Sequence, residues 1–143
     1  MHFDIQNVLT YGLPLLIGTI GWIAAHLIGK PYLEYRALRS EIAHYLILCA
    51  NIPCPPQPVY ESDARTVEAR SKYRNLASRL MSIANLMAFY RVWSIFGFIM
   101  PKWEELETAK GNLIGLSNSI GEPNQSLEIS RREDNIRRLL RIK

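Results

Sequence analysis

Glu41-Ile-Ala-His44 is the nearest approach of this sequence to a metal-ligating or catalytic motif. A Glu and a His three residues apart share one face of a helix. Di-iron carboxylate bundles use such pairs, but they need two of them plus two further glutamates on facing helices. His2 and His26 cannot supply the second pair, so His44 reads as a solvated histidine on a helix face. Cys49 and Cys54 stand five residues apart without a CxxC pair or matching His/Cys ligands, which excludes a zinc site by spacing. Both are expected to be free, reduced thiols. There is no serine or cysteine elbow and no glycine-rich phosphate loop, so hydrolase and nucleotide-binding chemistry have no foothold. These residues predict no enzyme activity and no cofactor.

The element that organises the chain is Val8–Ile28, VLTYGLPLLIGTIGWIAAHLI, an uncharged run long enough to cross a bilayer as a helix. Its strong aliphatics together favour insertion by roughly 3 to 6 kcal/mol. Pro14 and His26 oppose insertion but lie toward the ends. A cleaved signal peptide would need a basic leading region and a small-residue cleavage site, and neither is present, so an uncleaved anchor is expected. No Lys or Arg precedes the run, while Lys30, Arg36 and Arg39 follow it. The positive-inside rule then places the N-terminus outside and the body of the chain in the cytoplasm, at the inner (plasma) membrane.

The 143 residues thus divide into an anchor over 1–30 and one helical domain over 31–143. Pro31 to Ile52 patterns as a helix with Leu38, Ile42, Tyr45, Leu46, Cys49 and Ile52 on one face and Arg36, Arg39, Ser40 and His44 opposite. A bend or break is expected at Gly29-Lys30-Pro31, since proline suits the first turn of a new helix. Pro53 to Pro58 is a stiff connector. A long helix follows from Ser62 or Asp63, as N-cap, to Tyr90, with the stripe Ala69, Tyr73, Leu76, Leu80, Ile83 and Met87. Its polar surface includes Arg65, Arg70, Lys72, Arg74 and Arg79. The next helix is expected over Lys102–Ile120, with Leu106, Ala109, Leu113, Leu116 and Ile120 inward and Gly121 as its stop. The last is expected over Ser130–Ile142, with Ser130 and Glu133 in capping-box spacing and Ile136, Leu139 and Leu140 inward. The fold class is therefore all-α: one N-terminal transmembrane helix followed by a small cytoplasmic bundle of about four helices.

Three surfaces are built for contact. Gly21, Ala25 and Gly29 form a small-residue ridge along the span, and Gly111, Gly115 and Ser119 repeat that spacing further on. Such ridges let helix backbones approach closely, either within the chain or between copies. The apolar stretch 83–101 is rich in aromatics but broken by Arg91, which is costly at mid-bilayer. It is expected to lie at the membrane interface, with Trp93, Phe96, Phe98 and Trp103 at headgroup level, rather than to cross. The C-terminal stretch carries Arg131, Arg132, Arg137, Arg138, Arg141 and Lys143 against Glu133 and Asp134, in a chain of net charge +4. A basic amphipathic helix of this kind suits anionic headgroups or an acidic protein surface, and nucleic acid is the weaker match. The expected partners are the bilayer, a second copy or other membrane helices, and an anionic surface. The expected role is a self-associating interaction, scaffold or regulatory subunit. A membrane-active oligomeric effector is the alternative.

Overall fold

In the computed structural model, residues 12–49, 64–86, 100–122 and 125–142 are described. They form four helices: α1 (Leu13–Cys49), α2 (Ala64–Leu86), α3 (Trp103–Ser119) and α4 (Ser126–Leu139). No strand occurs among the described residues. The expected Pro53–Pro58 connector, Cys54, the Ser62/Asp63 cap and the stretch 87–99 with Arg91, Trp93, Phe96 and Phe98 lie outside them. So do His2, residues 8–11 of the apolar run, Pro123, Asn124 and Lys143.

Of the bend or break expected at Gly29-Lys30-Pro31, no break occurs. The chain runs on as one helix from the apolar run into the bundle. Pro31 lacks an N–H and its ring crowds the preceding turn, which ordinarily kinks a helix. Here Ala25–Gly29 forms a π turn just ahead of it, with the Lys30 N–H donating to the Ala25 carbonyl five residues back. The wider turn absorbs the mismatch that proline creates, and helix continues through Lys30–Cys49.

Beyond the π turn, α1 buries Tyr35, Leu38, Ile42 and Leu46. α2 answers with Ala69, Tyr73, Leu76, Leu80 and Ile83, and adds Ala77 and Ala84. α3 contributes Leu106, Ala109, Leu113 and Leu116, and α4 contributes Ile136 with Leu140 just past its end. These stripes form one core, with Tyr45, Cys49, Leu139 and Trp103 packed partly against it. α3 is central, packing against both α2 and α4, while the second half of α1 packs on α2.

Cross-helix polar contacts fix the register. Arg79 on α2 pairs with Glu41 on α1 at 2.7 Å, and the Tyr73 hydroxyl donates to the Tyr45 carbonyl at 3.2 Å. Residue numbers thus rise on α1 as they fall on α2, so the two helices are antiparallel. Arg70 donates through Nε and Nη2 to the Ile120 carbonyl, and Arg74 donates to Ser117 Oγ and Asn118 Oδ1. Both arginines thereby cap the C-terminal end of α3, where the helix dipole favours cations.

α3 begins and ends as expected. The Lys102 N–H donates to Glu105 Oε2 at 2.6 Å, Glu104 and Glu105 occupy the first turn, and Gly121 takes φ +85° as the stop. The start of α4 needs correction. It begins at Ser126, four residues ahead of Ser130, with no side-chain cap at Gln125, so the Ser130/Glu133 capping box does not form. Ser130 and Glu133 lie instead inside the helix, where the backbone donors are already spent on preceding carbonyls. Leu127 is 82% exposed, so the additional turn buries little on that side.

Candidate membrane and anionic-surface contacts

The Leu13–Ala24 part of α1 buries none of its residues. Leu15 is 73% exposed and Trp22 63%, with Leu13, Leu16, Ile17 and Ile20 each above half. A helix apolar on every side has no aqueous face. With Ala25–Gly29 it extends about 25 Å at 1.5 Å per residue, close to the hydrocarbon thickness. This is one helix long and apolar enough to cross a membrane.

Its polar side chains are turned inward on its own backbone. Thr19 Oγ1 donates to the Leu15 carbonyl at 2.8 Å. His26 Nδ1 lies 3.1 Å from the Trp22 carbonyl, and its ring stacks on the Trp22 indole with centroids 4.4 Å apart. Back-bonding to the carbonyl four residues earlier satisfies the Thr19 hydroxyl and one His26 ring nitrogen without water.

Gly21, Ala25 and Gly29 lie open, and a Cβ at either glycine would meet nothing within 4 Å among the described residues. In an α-helix each four-residue step drifts about 40° around the axis. The wider π turn from Ala25 to Gly29 falls short of a full turn over four residues and so swings Gly29 back toward the line of Gly21.

The second small-residue line does not act as a unit. Gly111 is exposed and faces open space, whereas a Cβ on Gly115 would overlap the Arg132 guanidinium of α4. Close packing at Gly115 is within the chain, and the group that approaches is an arginine rather than a second backbone.

The C-terminal cations divide. Arg132 is held by Glu128 at 2.9 Å over Gly115, Arg137 is half-buried beside Glu133, and Arg131 and Arg138 point outward. Arg141 takes φ +55° just past the end of α4. The Ile142 N–H donates back to the Arg137 carbonyl at 2.8 Å and the Arg141 N–H to the Arg138 carbonyl, the helix-ending pattern that glycine usually serves. Of the α2 cations, Arg70, Arg74 and Arg79 are engaged by neighbouring helices, and Lys72 lies 5.6 Å from the Tyr45 ring centroid. Trp103 is half-buried against the core.

Glu41 is engaged by Arg79 while His44 stands exposed on the next turn. Among the described residues no three His, Cys, Asp or Glu side chains could hold a metal ion. Cys49 is a free, half-buried thiol beside Tyr73. Burial pushes its pKa up, which leaves it a poor nucleophile at neutral pH. Burial raises Tyr73 as well.

Searches of known protein families, curated proteins and solved structures find no match to this chain.

In the sequence the basic flank of the span and the basic C-terminal tail are far apart. The fold brings them together, for Arg39 and Arg141 both lie close enough to Tyr35 to oppose the rise of its phenol. The separation in sequence is about a hundred residues, so no local pattern could have joined them.

Proposed function

We propose that this chain is a single-span membrane-anchored, non-enzymatic interaction subunit whose helical bundle is held at a fixed angle to the bilayer. The supporting observation is the continuity of α1. The same helix that exposes an apolar sheath over Leu13–Ala24 buries Tyr35, Leu38, Ile42 and Leu46 in the bundle. An anchor joined through a loop would let the bundle swivel, whereas a continuous helix transmits the tilt and rotation of the span to every surface of the bundle. A rigid display of this kind suits a scaffold or regulatory subunit.

Lys30, Arg36 and Arg39 after the span, with no Lys or Arg before it, support a cytoplasmic bundle with the N-terminus outside. The open Gly21/Ala25/Gly29 ridge supports self-association through the span.

Single cysteines introduced at Phe3 and at Arg131, in a chain with Cys49 and Cys54 replaced by alanine, test the topology. In intact cells a membrane-impermeant maleimide should label position 3 and reach position 131 only after lysis. Labelling in the opposite order overturns the orientation. Light scattering of Gly21→Leu/Ala25→Leu in detergent tests assembly: the mass should fall, and an unchanged mass removes the ridge as an interface. Dye leakage from vesicles carrying the protein would instead favour a membrane-active effector.

A further inference from the structure

A surface groove of about 590 Å³ opens between α1 and the end of α4, lined by Arg36, Arg39, Ser40, Ala43, Arg141 and Ile142. Three arginines and one serine line a single concavity, and no acidic side chain among the described residues lines it. The acids of this part of α1 are directed elsewhere. Glu34 and Glu41 stand seven residues apart, on the side of the helix turned away from Arg36 and Ala43, and Glu41 is held by Arg79.

The place of the groove along α1 gives it meaning. Arg36 and Arg39 follow the end of the π turn by seven and ten residues, about 10 to 15 Å of helix. Helical Cα–Cβ bonds tilt toward the N-terminus, which on the anchored reading is the membrane end, so both side chains leave the helix in the direction of the bilayer. That brings them to the headgroup layer, several ångströms outside the hydrocarbon.

Arg141 carries the second argument. It occupies the left-handed conformation, φ +55°, in a helix-ending motif where glycine would be free of the Cβ penalty. The fold tolerates an arginine there, and the arginine lines the groove beside Arg36 and Arg39.

We infer that Arg36, Arg39 and Arg141, with Ser40, form a binding site for the phosphate headgroup of an anionic phospholipid. The inference rests on the membrane-anchored reading above. Guanidiniums suit phosphate because their paired N–H groups match two of its oxygens, and Ser40 adds a neutral donor at the rim. A bound headgroup would clamp the end of α4 to the base of the span, and the lipid would then set the pose of the bundle as well as attract it.

The test uses the full chain purified in a non-ionic detergent and titrated calorimetrically with short-chain phosphatidylglycerol, short-chain phosphatidylcholine or inorganic phosphate. Phosphatidylglycerol should bind saturably, and phosphatidylcholine should not. Arg36→Gln and Arg141→Gly should each weaken that binding about fivefold or more, as expected for the loss of one charge near an anionic surface. Arg131→Gln, on the outer face of α4, should leave it unchanged. Arg141→Gly relieves the left-handed strain, and its urea midpoint, measured alongside the parent's, separates weaker binding from unfolding. Arg36→Lys keeps the charge but loses the fork, and should also bind more weakly.

Equal binding by parent and groove variants, or equal binding of the two lipids, overturns the inference. Inorganic phosphate competing as strongly as phosphatidylglycerol reassigns the groove to free phosphate and overturns the lipid site. Alkaline carbonate extraction of vesicles of phosphatidylcholine alone separates the two levels. A chain that stays in the vesicles yet lacks lipid preference loses the headgroup site but keeps the anchor. A chain that is extracted loses the anchor, and the headgroup site falls with it.

Discussion

The Arg132 guanidinium of α4 occupies the space where a side chain on Gly115 of α3 would begin, and Glu128, one turn earlier on α4, holds it there at 2.9 Å. Gly111, one turn back on α3, has nothing comparable above it. The two glycines share a spacing in sequence but not an environment, so they respond differently to the same substitution. Gly111→Ala should stabilise the bundle by about 1 kcal/mol, the helix-propensity difference at an exposed interior position. Gly115→Ala should gain much less, because Arg132 must swing aside and surrender its pairing with Glu128, worth up to about 1 kcal/mol. In the Arg132→Ala background the full gain at Gly115 should return. Urea unfolding of the four variants, followed by circular dichroism, closes that cycle. Equal gains at both glycines would mean that Arg132 does not constrain Gly115.

Two buried tyrosines make an opposite pair. The Tyr73 hydroxyl donates to the Tyr45 carbonyl at 3.2 Å. The Tyr35 hydroxyl is buried with no hydrogen-bond partner among the described residues, and burial pushes its pKa up to about 12 despite the nearby Arg39 and Arg141. A lost hydrogen bond and an unmade one have opposite signs when the oxygen is deleted. Tyr73→Phe should therefore destabilise by about 1 kcal/mol, and Tyr35→Phe should be neutral or stabilising by a similar amount. A loss of more than 1 kcal/mol in Tyr35→Phe would show that its hydroxyl has a partner in solution.

Most of this architecture is written in local periodicity. The inward faces of α2 and α3 follow from three- and four-residue steps, and Gly121 at φ +85° ends α3 where the residue type says it should. Two boundaries misread for identifiable reasons. Pro31 signals a helix start because its own turn cannot accept it, but a π turn upstream is invisible to composition and lets the helix continue. Ser130 and Glu133 carry capping-box spacing, yet Ser126 already begins the helix. The contact surfaces were less legible. Arg70, Arg74 and Arg79 look like a solvated basic face until Ile120, Ser117 and Glu41 are found opposite them. The convergence of Arg36 and Arg39 with Arg141 depends on tertiary packing alone.

Pro31 should govern how the span meets the bundle. Restoring the N–H in Pro31→Ala allows an ordinary four-residue bond at this position and removes the reason for the π turn. Proline inside a helix costs about 3 kcal/mol before accommodation, and the π turn with the burial of Pro31 offsets part of that. A net stabilisation of about 1 kcal/mol is expected, with slower amide exchange over residues 27–31. Loss of the turn would also rotate Leu13–Ala24 about the helix axis relative to the bundle. Spin labels at the exposed positions 20 and 75 report that rotation as a changed distance distribution. Unchanged exchange and distances would show that the π turn does not depend on Pro31.

Glu133 supplies a pH dependence whose sign is opposite to that of an ordinary paired carboxylate. It is half-buried on α4, and desolvation raises its pKa above the usual glutamate value, with Asp134 adding to the rise and Arg137 opposing it. Folding therefore favours the protonated carboxyl. Between the unfolded and the folded pKa the native chain binds more protons than the unfolded chain, so stability falls as pH rises through that window. Above the folded value the penalty is fully present, and below the ordinary value near 4.5 it is gone. Water around a half-buried group screens the effect to about 0.5 kcal/mol. Glu133→Gln should accordingly be more stable than the parent at pH 7 by about that amount, with the advantage shrinking as the pH is lowered toward 4.5. Arg137→Gln removes the opposing charge, so Glu133→Gln should gain more at pH 7 in that background than in the parent. Urea midpoints for the parent, the two single variants and the double variant at pH 7, 5.5 and 4.5 measure it, and Glu133→Gln less stable than the parent at pH 7 would place Glu133 in a favourable ion pair instead.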